Sequence, residues 1–153
     1  GEIRDGQDEA AAIALFYPVT DVNIDRENVT EKSFSPTPGG FLLHPNQPGQ
    51  AIGRITYRGI VFSGQNCFQV TTKLMNEKSG PVIFGLRVCD AKGGDELVSQ
   101  SSVVQPGTAG PWKFSFDALK GACNIEIQTQ MAPGVEEADG AWAIWLNPSF
   151  DTE

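Results

Sequence analysis

The sequence has little histidine and cysteine, which limits both metal binding and nucleophilic catalysis. His44 is the only histidine among 153 residues, and its His-Pro setting at the end of a strand predicts a structural hydrogen bond rather than a catalytic base. Cys67, Cys89 and Cys123 form no Cys-x-x-Cys pair, so a zinc site would have almost no ligands. The cysteines leave two arrangements open: one disulfide with a free thiol, or three buried thiols that act as small apolar side chains.

Long apolar runs and excess positive charge are also missing. No apolar stretch approaches the roughly 18 to 20 residues that span a bilayer, and no charged-then-apolar signal sequence opens the chain. Lys and Arg total 11 against 19 Asp and Glu, which gives a net charge of -8 and a pI of about 4.6. Such a surface repels phosphate backbones and anionic headgroups. We therefore expect neither nucleic acid as a partner nor membrane insertion.

What the sequence does contain is turn residues and period-two alternation. The 17 Gly and 10 Pro indicate many turns and short elements. Apolar and polar residues alternate, or apolar runs occur, in segments with roughly ten-residue spacing. The predicted strands are 13–17, 41–44, 52–62, 67–75, 82–89, 97–104, 112–116, 123–131 and 141–146. The sequence therefore predicts an all-β fold, an antiparallel β-sandwich of the jelly-roll type, over residues 10–150, after a flexible segment 1–9.

The sequence also predicts how two strands pair, which way the tryptophans face and where the last strand ends. Segments 67–75 and 82–89 are separated by a Gly/Pro turn at 76–81, which predicts that they pair as a hairpin. The closing strand carries Trp142 and Trp145 at an odd separation, so they should face opposite sides of the sheet. Asn147-Pro148 is expected to end this strand.

Three features together resemble the galactose-binding-like jelly rolls, in particular the carbohydrate-binding modules called NPCBM-like. They are the run 40–45 (Gly-Phe-Leu-Leu-His-Pro), the strands around Phe68 and Phe84, and the ending 139–148 (Asp-Gly-Ala-Trp-Ala-Ile-Trp-Leu-Asn-Pro). The turn at 89–94 is longer than the resemblance predicts. The resemblance implies a non-catalytic glycan-binding domain that is often attached to an enzyme or surface protein, and it favours an extracellular or cell-surface location.

Sugar recognition needs an aromatic ring for stacking and planar polar side chains for paired hydrogen bonds to neighbouring hydroxyls. Polar side chains of this kind alternate along three predicted strands, and we expect those strands to share one concave sheet; they are Gln69, Thr71, Lys73, Arg87, Glu126, Gln128 and Gln130. An ordinary solvated sheet face is the alternative. Trp112 follows a Gly-Pro loop and could be either a core residue or a stacking platform. A second candidate site is the loop end, with His44, Asn46, Gln65, Asn66 and Trp112.

A structural Ca²⁺ is the one ion that the sequence and the resemblance predict, and no cofactor is required otherwise. Hard oxygen ligands are available at Asp21, Asn23, Asp25 and Asp151. The spacing of the first three is similar to the start of an EF-hand loop. That loop requires Gly at its sixth position and Glu at its twelfth, where this chain has Arg26 and Lys32. Only a site of another type remains.

Three functions fit the sequence to different degrees. The first is a non-catalytic carbohydrate-binding module, and the second is a protein-interaction or assembly domain on the same scaffold. A small hydrolase is the weakest, because no spacing singles out an acid and a base among the carboxylates. The glycine pairs at 39–40 and 93–94 lack the Lys-Ser/Thr of a phosphate loop and read as turns.

Overall fold

The computed structural model describes residues 11–15, 23–27, 34–45, 52–135 and 138–153, with backbone only for 23–27. The predicted flexible segment 1–9 lies outside the described residues. Within the described ranges the chain forms eleven strands and no helix, so no helix there could cross a membrane. The strands are β1 (Ile13–Ala14), β2 (Asn23–Glu27), β3 (Phe34–Thr37), β4 (Gly40–Leu43), β5 (Gly53–Ser63), β6 (Cys67–Leu74), β7 (Val82–Asp90), β8 (Glu96–Val104), β9 (Thr108–Ser115), β10 (Lys120–Met131) and β11 (Ile144–Asp151).

The strands form two antiparallel sheets that pack face to face. Sheet A has six strands in the order β3-β4-β11-β6-β9, with β1 also paired to β11. Sheet B has five strands in the order β2-β5-β10-β7-β8. The predicted antiparallel sandwich is therefore confirmed, and consecutive strands change sheet several times along the chain, as in a jelly roll.

The core between the sheets follows from the alternation in each strand. In β10, Ile125, Ile127, Thr129 and Met131 are buried, while Glu126, Gln128 and Gln130 alternate with them and are partly exposed. Trp145 of β11 is fully buried, and its ring lies 5.1 Å from that of Phe84 and 6.2 Å from that of Phe41, measured between ring centroids. Fully burying one large apolar side chain stabilises a fold by about 1.5–3 kcal/mol. The contact between Trp145 of sheet A and Phe84 of sheet B joins the two sheets.

The predicted hairpin between 67–75 and 82–89 is wrong. β6 belongs to sheet A, between β11 and β9, whereas β7 belongs to sheet B, between β10 and β8. The connection from β6 to β7 therefore crosses from one sheet to the other. Alternation predicts which side chains face the core, but both sheets present the same pattern, so it does not identify the neighbouring strand.

The closing strand is longer than predicted, because Asn147-Pro148 does not end it. β11 continues to Asp151, and its register with β6 shifts between Leu146 and Ser149. Asn147 has a positive φ of 51°, and its N–H donates to the carbonyl of Gly39 at 2.7 Å. A β-bulge accommodates both the left-handed residue and the proline within the strand. The two tryptophans do face opposite ways, since Trp142 is 57% exposed and Trp145 is buried.

All three cysteines are free and buried. Burial is the main cause that raises the pKa of the thiols of Cys67, Cys89 and Cys123. Of the two arrangements left open by the sequence, the structure has the one with three buried thiols.

Candidate functional site

Several planar polar side chains converge on the outward side of sheet B. Arg87 of β7, Glu126 and Gln128 of β10, and Arg54 of β5 alternate with core residues on three adjacent strands. The register sets Glu126 between Arg87 and Thr56, and Gln128 between Gly85 and Arg54. We call this surface the Arg87 face. Arg87, Glu126 and Gln128, predicted as binding residues, thus lie together.

Hydrogen bonds and ion pairs hold the Arg87 face in one arrangement. The Nε of Arg87 donates to Glu96 Oε1 at 2.7 Å, and its Nη1 donates to Glu126 Oε2 at 3.1 Å. The Nε of Arg54 donates to Gln128 Oε1 at 3.2 Å and lies 3.7 Å from Glu126 Oε1. Partly exposed ion pairs of this kind stabilise a fold by only about 0–1 kcal/mol each. Their clearer effect is to fix the orientation of several planar groups at the surface.

Electrostatics keep this network charged. The hydrogen bond to Glu96 is the first cause of a raised pKa at Arg87, and the charge of Glu126 adds to it. The guanidinium therefore stays protonated at any physiological pH. Arg87 thus lies between two glutamates, and the face presents hydrogen-bond donors and acceptors side by side.

A groove runs across the Arg87 face over Gly85. It has a volume of about 420 Å³ and is lined by residues of β7, β8 and β10, including Arg87, Ser99, Ser101, Gln128 and Gln130. Gly85 has no side chain, and a Cβ added there would come within 2.9 Å of Gln128 Cγ. Glycine inside a strand often marks a close approach by another group. Here it lets the side chain of Gln128 lie across the floor of the groove, whose size is typical of a ligand site, about 300–1,000 Å³.

The predicted polar residues of β6 lie on sheet A, so the expectation that all three strands share one sheet is wrong. Gln69 and Lys73 are on β6. The Nε2 of Gln69 donates to Asp151 Oδ2 at 2.6 Å. These two residues are therefore separated from Arg87, Glu126 and Gln128 by the thickness of the sandwich.

Trp112 packs against the core rather than standing clear of it. It is half-buried on the edge strand β9, and its ring centroid lies 5.2 Å from Phe114, 6.0 Å from Phe68 and 6.2 Å from Trp145. Trp112 also contributes to the lining of a groove between β6 and β9, so its role as a stacking platform stays a prediction.

The predicted loop-end site is not assembled. His44 follows β4, near the start of β11, and its Nδ1–H donates to the carbonyl of Pro45 at 2.5 Å. Gln65 and Asn66 precede β6, whose first residue pairs with Asp151 at the other end of β11. Gln65 is buried and Asn66 accepts a hydrogen bond from the N–H of Glu153 at 2.8 Å, so both have structural partners. Asn46 lies outside the described residues.

The predicted calcium ligands are divided between the two sheets. Asn23 and Asp25 are on β2, the edge strand of sheet B, and Asp151 ends β11 in sheet A. The carboxylate of Asp151 accepts hydrogen bonds from Gln69 and, at 2.7 Å, from Ser149. Asp21 lies outside the described residues, and the part of the chain that is described holds no group of three or more His, Cys, Asp or Glu residues suited to a metal. Calcium binding stays a prediction of the sequence.

Sequence reasoning missed Arg54, Ser99 and Ser101 as members of the Arg87 face. Arg54 alternates with the buried Ile55 in its strand, so its outward position could be predicted, whereas the polar run at 99–102 has no alternation that marks one face. What the sequence lacked was the strand order that places β5 and β8 beside β10 and β7.

The antiparallel two-sheet jelly roll is similar in fold to several solved carbohydrate-binding modules. The fold is similar to that of CBM29_1, a family 29 carbohydrate-binding module from Piromyces equi, with a TM-score of 0.58 and 12% identity over 94% of this chain and 91% of that chain. TmCBM61, solved in complex with β-1,4-galactotriose, gives a TM-score of 0.52 and 13% identity over 88% and 90% of the two chains. The CBM29-2 module gives 0.52 and 16% over 94% and 93%. The expected resemblance to carbohydrate-binding jelly rolls is confirmed at the level of fold.

No protein-family profile matches the sequence, and no curated protein matches it either. The similarity is therefore one of fold, and a fold alone does not define a function.

Proposed function

We propose that this protein is a non-catalytic carbohydrate-binding module that holds a glycan on the Arg87 face. The observation that carries the proposal is the set of four planar groups, Arg87, Glu126, Arg54 and Gln128, joined by hydrogen bonds and ion pairs beside a groove of about 420 Å³. A guanidinium, carboxylate or amide can make two hydrogen bonds to adjacent sugar hydroxyls. Because the groups are already held by one another, little side-chain freedom is lost when a glycan binds.

The fold supports the same proposal from a second direction. Structures with this fold are named as carbohydrate-binding modules, and one was solved with a bound galactotriose. A fold hosts many functions, so similarity of fold gives only general support for carbohydrate binding. The Arg87 face gives support from the side chains of this chain. The sheet face is favoured over the loop end, because His44 and Gln65 lie at opposite ends of β11.

The proposed function also implies the extent of the module, its partner and its location. We propose that residues 10–150 act as one binding module without turnover of the glycan. Such a module fits within a larger protein at an extracellular or cell-surface location, and its partner is the carbohydrate.

The test is affinity electrophoresis in gels that contain galactan, glucomannan or xylan, run with calcium and with EDTA. We expect wild-type protein to be retarded by at least one polysaccharide, and Arg87→Ala and Gln128→Ala to weaken binding about tenfold or more, which corresponds to 1.4 kcal/mol. The matched control is Lys78→Ala, an exposed residue of the β6–β7 connection that removes the same charge as Arg87→Ala. Loss of retardation in EDTA would add a calcium site.

Two results would contradict the proposal. If no polysaccharide and no glycan on an array retards or binds wild-type protein, the module has no carbohydrate function. Self-association with rising concentration, together with that blank response, would support the assembly domain instead. If Arg87→Ala and Gln128→Ala bind like Lys78→Ala, the glycan does not lie on the Arg87 face.

A further inference from the structure

The outward side of sheet A has a different character from the Arg87 face. Ile144 and Leu146 occupy alternate positions in β11, and Trp142 lies two residues before Ile144. None of the three is fully buried. Trp142 is 57% exposed, whereas the other two tryptophans pack against the core. We call these three residues the Trp142 strip. Single exposed apolar side chains are common on protein surfaces, but a contiguous apolar patch beside polar residues often marks a binding site.

Polar side chains run beside the strip on the neighbouring strand. Ile144 pairs with Lys73 and Leu146 pairs with Thr71 in the register between β11 and β6. Gln69 follows two residues further along the same face of β6 and is exposed. A row of apolar side chains therefore lies next to a row of hydrogen-bonding side chains, and both rows have one residue at every second position.

A groove of about 230 Å³ lies at the Leu146 end of the strip. Its lining includes Gln69, Thr71, Pro111, Lys113, Leu146 and Asn147. The apolar atoms of Leu146 and Pro111 form part of the lining, and amide and ammonium groups stand beside them. The groove is smaller than a typical ligand pocket of about 300–1,000 Å³, so it suits one sugar ring better than a larger ligand.

The bulge in β11 shapes this end of the groove. Asn147 is the non-glycine residue with positive φ within the described ranges, at 51°. Bulges are over-represented next to functional sites, where they change the direction of a side chain. The bulge places the exposed Asn147 at the rim of the groove, beside Leu146.

We propose that the Trp142 strip, with its groove, is a second saccharide-binding surface, which makes the module bivalent. The inference rests on the proposed carbohydrate function but uses the opposite sheet. A sugar chain has apolar C–H faces and hydroxyl edges, and this matches a narrow apolar row beside a polar row. A protein partner would be expected to cover a broader contiguous apolar patch. Because the strip carries apolar side chains at three alternate positions, the ligand class is a short stretch of a neutral polysaccharide, with the ring of one sugar on Trp142.

The experiment is isothermal titration with cellotriose, mannotriose, xylotriose and β-1,4-galactotriose, followed by intrinsic tryptophan fluorescence. We expect two sites per chain in wild-type protein and one in Trp142→Ala, where the affinity of the strip falls about tenfold or more. The sugar-dependent change in fluorescence should be lost with Trp142. The matched control is Val61→Ala, an apolar residue on β5 of sheet B that is 69% exposed. It should retain both sites.

The outcomes separate this inference from the proposed function. Wild-type protein could show one site per chain, which Gln128→Ala removes and Trp142→Ala leaves unchanged. That result would overturn the second surface and support the Arg87 face. A site that Trp142→Ala removes and Gln128→Ala leaves unchanged would support the strip and overturn the placement on the Arg87 face. Absence of binding to every sugar would overturn both. Gln69→Ala tests the same site with a second variant. It should weaken sugar binding to the strip without removing an aromatic ring.

Discussion

Gly40 lies where β4 passes directly beside the backbone of Trp145. A Cβ added at Gly40 would collide with the carbonyl oxygen of Trp145, a backbone atom that cannot move aside as a flexible side chain would. The collision would separate β4 from β11 or shift one against the other. We expect Gly40→Ala to lower the free energy of unfolding by at least about 3 kcal/mol, the upper range for overpacking.

Gly110 of β9 is the matched comparison. A Cβ added there would meet no atom within 4 Å, and its φ is not in the left-handed region. Gly110→Ala should therefore be neutral or stabilise by about 0.4–1 kcal/mol through the unfolded chain. Urea denaturation of both variants measures the contrast. Equal stability of the two would show that β4 does not approach Trp145 as described.

At the scale of a single element, β11 depends on the conformation of Asn147. With φ at 51°, the backbone at this position is left-handed, a conformation that Gly and Asn adopt more readily than other residues. We expect Asn147→Ala to lower the free energy of unfolding by about 1–2 kcal/mol, and Asn147→Gly to have a much smaller effect. Thermal unfolding followed by circular dichroism would compare them. If both variants lose the same stability, then the side chain of Asn147, rather than its φ, is what matters.

The elements also show what the sequence could predict. The alternation in β6, β7 and β10 correctly predicted the strands and which residues face outward, because burial of one face is a local property of the chain. It did not predict that β6 and β7 lie in different sheets, since pairing depends on partners distant in sequence. The candidate site was therefore predicted in part: Arg87, Glu126 and Gln128 lie together, while Gln69 and Lys73 lie on the other sheet. The packing of Trp112 also needed the structure, because the core side of an edge strand is partly open to solvent.

The molecule as a whole should lose stability at alkaline pH. Burial raises the pKa of Tyr57, whose hydroxyl has no hydrogen-bond partner among the described residues, and burial likewise raises the thiol pKa values. In the unfolded chain these groups ionise near about 8.5 for Cys and 10 for Tyr, while in the folded chain they stay protonated. The unfolded state then binds fewer protons, so the free energy of unfolding falls as pH rises. We expect urea midpoints to fall progressively above about pH 8.5.

Tyr57→Phe tests the origin of this dependence. The substitution removes a buried hydroxyl that has no partner, so at pH 7 it should be neutral or stabilising. Above about pH 10 the variant should lose less stability than wild-type protein, because one ionising group is gone from the unfolded chain. A variant with the same decline as wild-type would assign the effect to the cysteines alone.

The position of β11 has a consequence for synthesis on the ribosome. It lies between β4 and β6 in sheet A and also pairs with β1, yet it is the last strand of the eleven to be made. Until residues 144–151 leave the exit tunnel, the facing edges of β4 and β6 have no partner, and unpaired edges are the sites where nascent chains associate with each other. The growing chain can assemble sheet B first, whose last strand, β10, is complete at residue 131. Closure of the sandwich is thus a late event timed by elongation, and the interval before it is when the chain most needs a chaperone.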